Sequence, residues 1–243
     1  MSPLLEIKNI TKRFGGLTAL SDVSFDVPSG SIVGVMGANG AGKTTLFSLI
    51  AGNIAPTEGE IFFNKKSLVG LTPDRICRLG VARTFQIVKP FGGMTVRENL
   101  LTSAMFGAHQ YQSKTLAADA VDKVLEDVGL TAVSEQISST LTLSYQKRLE
   151  IGRAVATGCR LILLDEVMAG LTPTEVLEML ETIRILREQR ELTLLVIEHV
   201  MRALMQLCQQ IVVLHHGELI AQGSPDEIGN NRLVHQVYLG ETL

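Results

Sequence analysis

The stretch Gly37-Ala38-Asn39-Gly40-Ala41-Gly42-Lys43-Thr44-Thr45 stands between the apolar run 32–36 and the helix-forming run 46–51. This order predicts a strand, a tight loop and a helix. Every fixed position fits the spacing of two glycines, a lysine and a hydroxyl residue that cradles phosphate groups. A glycine-rich turn that only links a strand to a helix is the alternative, and the complete pattern in this context argues against it. We therefore predict that the chain binds a nucleoside triphosphate.

Each part of this phosphate loop, residues 37–45, has a chemical role. The glycines permit positive φ, so that successive backbone N–H groups point at a phosphate, and the helix that starts near Lys43 adds its positive end. Lys43 is expected to reach the β- and γ-phosphates, and the Thr44 hydroxyl is expected to ligate Mg²⁺. The predicted nucleotide contacts of the loop are Gly37, Asn39, Gly40, Ala41, Gly42, Lys43, Thr44 and Thr45.

Composition narrows the class of protein. A chain of 243 residues can form one large domain or a core with a subdomain, and an interior rich in aliphatic residues without Trp is typical of α/β proteins. The net charge is −3, without a basic block, so no nucleic-acid partner is expected. Three distant cysteines, at 77, 159 and 208, indicate buried thiols in a reducing compartment rather than a disulfide framework or a zinc site.

The sequence shows no secretory signal and no run of 18 apolar residues. We therefore expect a cytoplasmic protein whose membrane association, if any, comes through a partner.

The hydrophobic pattern changes twice along the chain. Residues 5–13 and 23–27 alternate and predict antiparallel strands, whereas residues from Thr95 to about Gly158 show helical periodicity. Strand and helix alternate again afterwards, with the unbroken apolar runs 161–164 and 193–197 that are typical of parallel strands buried on both faces. The pattern thus predicts an α/β protein with a helical insertion. It also predicts helices over 73–79 and 199–208, a buried strand over 80–86, and a helix face formed by Val121, Val124, Leu125 and Val128.

Two acidic residues end the first of these apolar strands. Asp165 is expected to hold Mg²⁺ through water, and Glu166 is expected to orient or deprotonate the water that attacks the γ-phosphorus. His199 follows the next strand through Glu198. In isolation such a histidine is more often a loop residue, but at the same sheet edge it can hydrogen-bond the γ-phosphate.

Phe14 ends the first strand, beside Gly15-Gly16. Its ring is either a core aromatic at a strand end or a surface on which an adenine base stacks. Spacing alone leaves these two interpretations equal.

The ordered set of motifs resembles the ATP-binding cassette (ABC) ATPases over the whole chain, and in particular the ATPase subunits of branched-chain amino acid uptake systems. The stretches that carry the resemblance are 12–20, Arg83-Thr84-Phe85-Gln86, 167–171, Ile197-Glu198-His199, and 217–223 with 238–241. The resemblance implies a P-loop NTPase (RecA-like) core with an antiparallel β subdomain, formed by residues 1–88 and 161–243. It also implies an inserted α-helical subdomain over 89–160.

The resemblance also implies roles for residues. Phe14 is expected to stack on the adenine, and Gln86 is expected to contact both Mg²⁺ and the attacking water. The expected metal-binding residues are Thr44, Gln86 and Asp165. The catalytic set is Glu166, His199 and Gln86. The segment from about 89 to 160 is expected to receive a coupling helix of a membrane subunit.

One departure from the family pattern concerns the segment that contacts ATP bound to the opposite subunit. The family has Leu-Ser-Gly-Gly-Gln there, whereas this chain has Leu141-Thr142-Leu143-Ser144-Tyr145, which we call the signature segment. A competing register uses 143–146 but requires a deletion inside the helix. Thr142 and Ser144 are the expected contacts, with Thr142 as a helix N-cap, whereas the Leu143 side chain should hinder the close approach that a glycine allows. Thr172 likewise stands where the family often has Asp or Asn.

These expectations describe an ATPase that energises uptake of branched-chain or other hydrophobic amino acids, with urea or short amides as alternatives. Its expected partners are a second ABC ATPase subunit, two transmembrane permease subunits and a periplasmic or extracellular solute-binding protein. A heterodimer with unequal sites is expected, and a homodimer is the alternative. The chain is expected on the inner face of the membrane. The rival functions are an ATP-binding subunit with little hydrolysis and a non-transport ABC ATPase.

Overall fold

The computed structural model describes residues 3–85, 88–108, 111 and 113–239. These form two units: one contains the described part of Met1–Pro73 and Thr193–Leu243, and the other contains the described part of Asp74–Leu192. In chain order the strands and helices are β1 Pro3–Phe14, β2 Leu17–Pro28, β3 Ile32–Gly37, α1 Lys43–Ile50, β4 Glu58–Phe63, β5 Lys66–Ser67, α2 Pro73–Leu79, β6 Val81–Arg83, α3 Val96–Phe106, α4 Lys114–Asp127, α5 Leu143–Ala156, β7 Leu161–Asp165, α6 Pro173–Arg190, β8 Thr193–Ile197, α7 Met201–Leu207, β9 Gln210–His215, β10 Glu218–Gly223, α8 Pro225–Gly229 and α9 Arg232–Leu239.

The first unit contains an antiparallel sheet in the order β2-β1-β4-β5. Strands β1 and β2 pair over their whole length, from Pro3 opposite Pro28 to Phe14 opposite Leu17. Alternation along β1 buries Leu5 and Ile7 while Lys8 is exposed, as expected of a sheet with one face toward a core. The predicted antiparallel strands are confirmed.

The same unit contains parallel strands around β3. This strand pairs in parallel with β8 and with β9, and Val35 stands opposite both Ile197 and Val212. Every residue of β3 and β8 is buried, which confirms the reading of unbroken apolar runs as strands buried on both faces. Because β3 and β8 are parallel neighbours, the phosphate loop and the residues that follow Ile197 leave the sheet at the same edge.

The second unit joins a pair of parallel strands to helices. Strand β6 pairs with β7, with Val81 opposite Leu161, and α5 packs on both strands as well as on α3 and α4. The apolar face predicted for α4 and the turn after it is confirmed, since Val121, Val124, Leu125 and Val128 are all buried. Fully burying one such side chain contributes roughly 1.5–3 kcal/mol. The domain limits predicted at 88/89 and 160/161 follow the sequence pattern rather than this packing and stay a prediction.

Several elements differ from their predicted extent. The helix expected over 199–208 begins only at Met201, because Val200 is extended and supplies no side-chain cap. The buried strand expected to end in Gln86 ends at Arg83, and Gln86 lies outside the described residues. Cys77 is only half-buried, contrary to the expectation of three buried thiols, because α2 buries little beyond Ile76.

No helix in the described part of the chain is long and apolar enough to cross a membrane.

Candidate active site

The phosphate loop joins the buried strand β3 to the first turn of α1. Gly40 and Gly42 have φ of 81° and 103°, in the left-handed region that glycine adopts without strain. A side chain at Gly42 would also lie 2.6 Å from Leu20 Cδ2 and 2.7 Å from the Ala19 carbonyl oxygen. Position 42 therefore has no room for any residue except glycine.

Backbone hydrogen bonds hold the loop in shape. Ala41 N–H donates to the Ala38 carbonyl at 3.1 Å, and the Ala41 carbonyl accepts from Gly217 N–H, in the β9–β10 turn, at 3.2 Å. Asn39, Gly40 and the Thr44 side chain remain exposed. The loop is thus anchored from the protein side while the groups expected to meet phosphate and Mg²⁺ face outward.

Lys43 is the cation of this loop, and only 6% of it is exposed. Its Nζ donates to the carbonyl oxygens of Gly37 at 2.6 Å and Ala38 at 3.0 Å. An ammonium has three donors, and its hydrogen bonds to an anion are stronger than those to neutral carbonyls. The two carbonyl oxygens that accept from Lys43 are therefore weaker hydrogen-bond partners than phosphate oxygens would be.

Phe14 and His199, also in the first unit, are both exposed. The Phe14 ring is 47% exposed at the end of β1, and Lys12 Nζ lies 4.9 Å from its centroid. An exposed ring beside a cation suits stacking on a base better than a place in the core. His199 lies two residues beyond the end of β8, at the sheet edge that also carries the phosphate loop.

Asp165, in the second unit, is the last residue of β7 and is 3% exposed. Its Oδ2 forms an ion pair with Arg83 at 2.8 Å, and its backbone N–H donates to Thr84 Oγ1 at 3.1 Å. The ion pair with Arg83 thus compensates the charge of the buried Asp165 carboxylate. Arg83 was not among the predicted site residues, although it belongs to the stretch Arg83-Thr84-Phe85-Gln86 that carries the family resemblance. Its charge on a short buried strand was the available signal.

Glu166 follows immediately and has φ of 51°, so a residue other than glycine occupies the left-handed region. Such a conformation costs on the order of 1–3 kcal/mol and persists only where the surroundings enforce it. The Glu166 carbonyl accepts from Lys147 Nζ at 3.0 Å and from Ala169 N–H at 3.2 Å. The residue predicted as the catalytic base thus has a strained backbone that neighbouring donors hold.

The signature segment forms the start of α5. Thr142 is the N-cap, and its hydroxyl accepts from Tyr145 N–H at 3.5 Å, which confirms the predicted cap. Ser144 is buried, whereas Leu143 is 44% exposed. A Cβ at Gly170, in the loop after Glu166, would lie 3.0 Å from Leu143 Cδ2, so the leucine side chain leans against that loop.

Thr172 is also a helix cap, at the start of α6. Its hydroxyl accepts from Glu175 N–H, and its own N–H donates to the Glu175 carboxylate at 2.8 Å. The backbone N–H of Thr172, and then its hydroxyl, lower the pKa of Glu175. The residue that replaces the family's Asp or Asn therefore has a local role in capping α6.

The fold and these motifs define the class to which the protein belongs. The sequence profile of the ABC transporter family matches residues 20–169, which is more than half of the chain. The chain therefore belongs to the ABC transporter family, and it is an ATP-binding ATPase subunit. A second profile, that of the branched-chain amino acid ATP-binding cassette transporter, matches residues 218–242.

Relatives and a solved structure match nearly the whole chain. The chain is 40% identical to the high-affinity branched-chain amino acid transport ATP-binding protein LivG of Salmonella typhimurium, over 98% of both chains. It is 38% identical to BraF of Pseudomonas aeruginosa, a protein of the same description, again over 98% of both. The ADP conformation of MJ1267, an ATP-binding cassette of an ABC transporter, has a TM-score of 0.89 and 28% identity over 99% of this chain and 100% of that one.

Proposed function

We propose that this chain is the ATP-hydrolysing subunit of an importer for branched-chain or other hydrophobic amino acids. The observation that carries the proposal is the match of residues 218–242 to the branched-chain amino acid cassette profile, together with full-length relatives of that description. The lipopolysaccharide export protein LptB of Acidithiobacillus ferridurans is also 33% identical, over 99% of this chain and 98% of its own. The C-terminal match favours amino acid uptake over export.

ATP binding is assigned to the phosphate loop and Phe14. Backbone N–H groups between Gly37 and Thr45, including that of Asn39, surround the phosphates, and Ala41 holds the loop in shape through its own hydrogen bonds. Lys43 exchanges its two carbonyl acceptors for phosphate oxygens, and Phe14 stacks on the adenine. The exposed position of Asn39, Gly40 and Thr44 supports this assignment.

Mg²⁺ is assigned to the Thr44 hydroxyl, Gln86 and Asp165, the last through water. Hydroxyl, amide and carboxylate oxygens are the ligands that this hard cation prefers. When bound, Mg²⁺ neutralises charge on the β- and γ-phosphates. The exposed Thr44 side chain supports the first of these assignments, and the position of Asp165 at the end of the buried strand β7 supports the last.

Hydrolysis is assigned to Glu166 and His199, with Gln86 orienting water. The Glu166 carboxylate accepts a proton from the attacking water, and His199 donates a hydrogen bond to the γ-phosphate. The strained backbone at Glu166 supports a functional role, because such strain concentrates at active sites.

The proposed partners are a second ABC ATPase, two permease subunits and a solute-binding protein, with the chain on the inner face of the membrane. Exposed apolar side chains of the second unit, at Phe85, Phe91, Met94 and Ile137, support docking of a membrane subunit. Thr142 and Ser144 are assigned to ATP bound on the second ATPase. The exposed Leu143 between them supports a heterodimer with two unequal sites.

The test is transport by the purified complex in proteoliposomes. The full chain is tagged and isolated with its permease subunits, and uptake of labelled leucine is compared with uptake of lysine and urea. We expect ATP-dependent leucine uptake that Glu166→Gln abolishes. Uptake of urea alone would overturn the assigned cargo, and leucine uptake that survives Glu166→Gln would overturn the catalytic assignment.

A further inference from the structure

Lys147 is a buried cation near the start of α5, with 3% of its surface exposed. Lysine is almost never fully buried unless a specific partner compensates its charge. Its Nζ donates to the Glu166 backbone carbonyl at 3.0 Å, within the second unit. A long, charged side chain thus ends on the backbone of the residue assigned as catalytic base.

The contact bears on the conformation of Glu166. That residue is in the left-handed region at φ 51°, and its carbonyl also accepts the Ala169 N–H that closes the turn after β7. The turn alone supplies one neutral donor, whereas the Lys147 ammonium supplies a charged and therefore stronger one. Without Lys147, the Glu166 carbonyl would lose the stronger of these two donors, and the strained backbone conformation at residue 166 would be less well stabilised.

The direction of the Glu166 side chain depends on the same backbone angles. Rotation of φ toward the common negative region swings Cβ, and with it the carboxylate, away from its present direction. A misplacement of about 1 Å at a reacting group costs on the order of a hundredfold in rate. The hydrogen bond to the carbonyl therefore affects catalysis without touching any reacting atom.

We propose that Lys147 is a positioning residue that fixes the Glu166 carboxylate by holding the Glu166 backbone. This inference rests on the proposed role of Glu166 as catalytic base. Helix α5 is a suitable anchor, because it runs for 14 residues and is buried on more than one side, with Leu149, Ile151 and Val155 all in the core. Through its hydrogen bond to the Glu166 carbonyl, Lys147 ties the turn after β7 to this well-packed helix.

The experiment compares Lys147→Met with Arg148→Met, both in the full chain assembled with its permease subunits. Methionine keeps the apolar stem of Lys147 and removes the donor. Arg148 is the matched control, because it is also a cation of α5 and bonds to Thr182 and Glu178 rather than to Glu166. We expect Lys147→Met to lower kcat by about tenfold to a hundredfold. In Lys147→Met the Kd for Mg·ATP should change by less than about twofold. In Arg148→Met kcat should also change by less than about twofold.

A double-mutant cycle separates positioning from general damage to the fold. In a Glu166→Gln background, Lys147→Met should change the residual turnover by less than about twofold, because no carboxylate remains to be positioned. An equal loss in both backgrounds would overturn the proposal, as would a parental kcat in Lys147→Met. If Glu166→Gln itself keeps parental turnover, the base assignment fails instead. Should Lys147→Met not fold, Lys147→Gln replaces it with the same expected loss, because its neutral amide ends short of the carbonyl.

Discussion

The phosphate loop and the signature segment both stand where a helix begins, yet the chain treats them differently. At the loop, Gly42 has no room for a side chain, so the backbone shape of the loop requires glycine at that position. At the signature segment, Thr142 preserves the cap of α5 while Leu143 places an exposed apolar group on the helix's first turn. Helix capping thus tolerates a change of side chain that a backbone cradle does not.

The two carboxylates at the end of β7, proposed for Mg²⁺ and for the attacking water, extend this contrast. Lys43 is held by carbonyls of its own loop, whereas Asp165 and Glu166 depend on side chains from other elements, Arg83 and Lys147. A site held by its own backbone should resist substitution elsewhere. A site held by side chains should be lost through residues that contact no substrate.

Arg83→Met tests this dependence and should have the largest effect. Removing one partner leaves the Asp165 carboxylate buried and unpaired, which costs about 3–5 kcal/mol in the free energy of unfolding. Urea denaturation of the full chain measures that loss. Arg78→Met is the control, because Arg78 pairs with Asp74 at an exposed site, and its loss should stay below about 1 kcal/mol. Equal losses in the two variants would contradict the buried ion pair.

Lys43→Ala tests the phosphate loop itself. Loss of the charged hydrogen bonds to phosphate should weaken Mg·ATP binding by about a hundredfold, equivalent to about 2.7 kcal/mol. Isothermal titration with Mg·ATP is the measurement, and the exposed Lys66→Ala serves as the matched variant. Unchanged affinity in Lys43→Ala would remove the basis for a nucleotide site at this loop.

Leu143→Gly tests whether the altered signature segment limits the partner's site. A glycine at this position should raise the ATPase rate of the assembled complex by about threefold, because it removes an exposed side chain from the helix turn assigned to the partner's ATP. It should also destabilise α5 by roughly 0.5–1 kcal/mol, because glycine is a poor helix former. Leu177→Gly on α6, where the leucine is 62% exposed, carries a similar helix penalty and should not raise the rate. A rise in both variants would refute obstruction by Leu143.

Thiol alkylation gives the smallest effect and compares the cysteines of the two units. Burial raises the pKa of Cys159, in the second unit, and of Cys208, in the first, to about 12. The pKa of the half-buried Cys77 is also raised, chiefly by burial. A raised pKa lowers the thiolate fraction at pH 8, so all three should react more slowly with iodoacetamide than free cysteine does. Peptide mass spectrometry should find Cys77 modified first, and earlier modification of Cys159 or Cys208 would contradict their burial.

Local patterns predicted much of the fold. Helix α2 spans Pro73–Leu79 as predicted from the proline that opens it, and the apolar runs at β7 and β8 are buried strands. The cap at Thr142 was predictable because N-capping depends on neighbours in the chain. The phosphate loop was predictable because its spacing encodes its shape.

Contacts between distant parts of the chain were not predictable in this way. Nothing in the spacing of Arg83 and Asp165, or of Lys147 and Glu166, indicates that each pair meets. The left-handed backbone at Glu166 also has no signal in its own residue type, because the position holds neither glycine nor asparagine and its charged donor, Lys147, comes from another element. The predicted start of α7 was wrong by two residues. Val200 has an extended backbone and the helix begins at Met201, and nothing in the residue types at 199 and 200 indicates this.

The closed hydrogen-bonding of the phosphate loop has a further consequence for how nucleotide arrives. Since Ala41 is tied at both its N–H and its carbonyl, and Lys43 bridges two carbonyls, the loop's own hydrogen bonds fix the shape of the cradle. Binding then requires one side chain to change acceptors rather than a segment to become ordered, which spares the entropy that ordering a loop would cost. Capture of the nucleotide should accordingly be fast, and slow phases of the cycle should lie in steps that follow it.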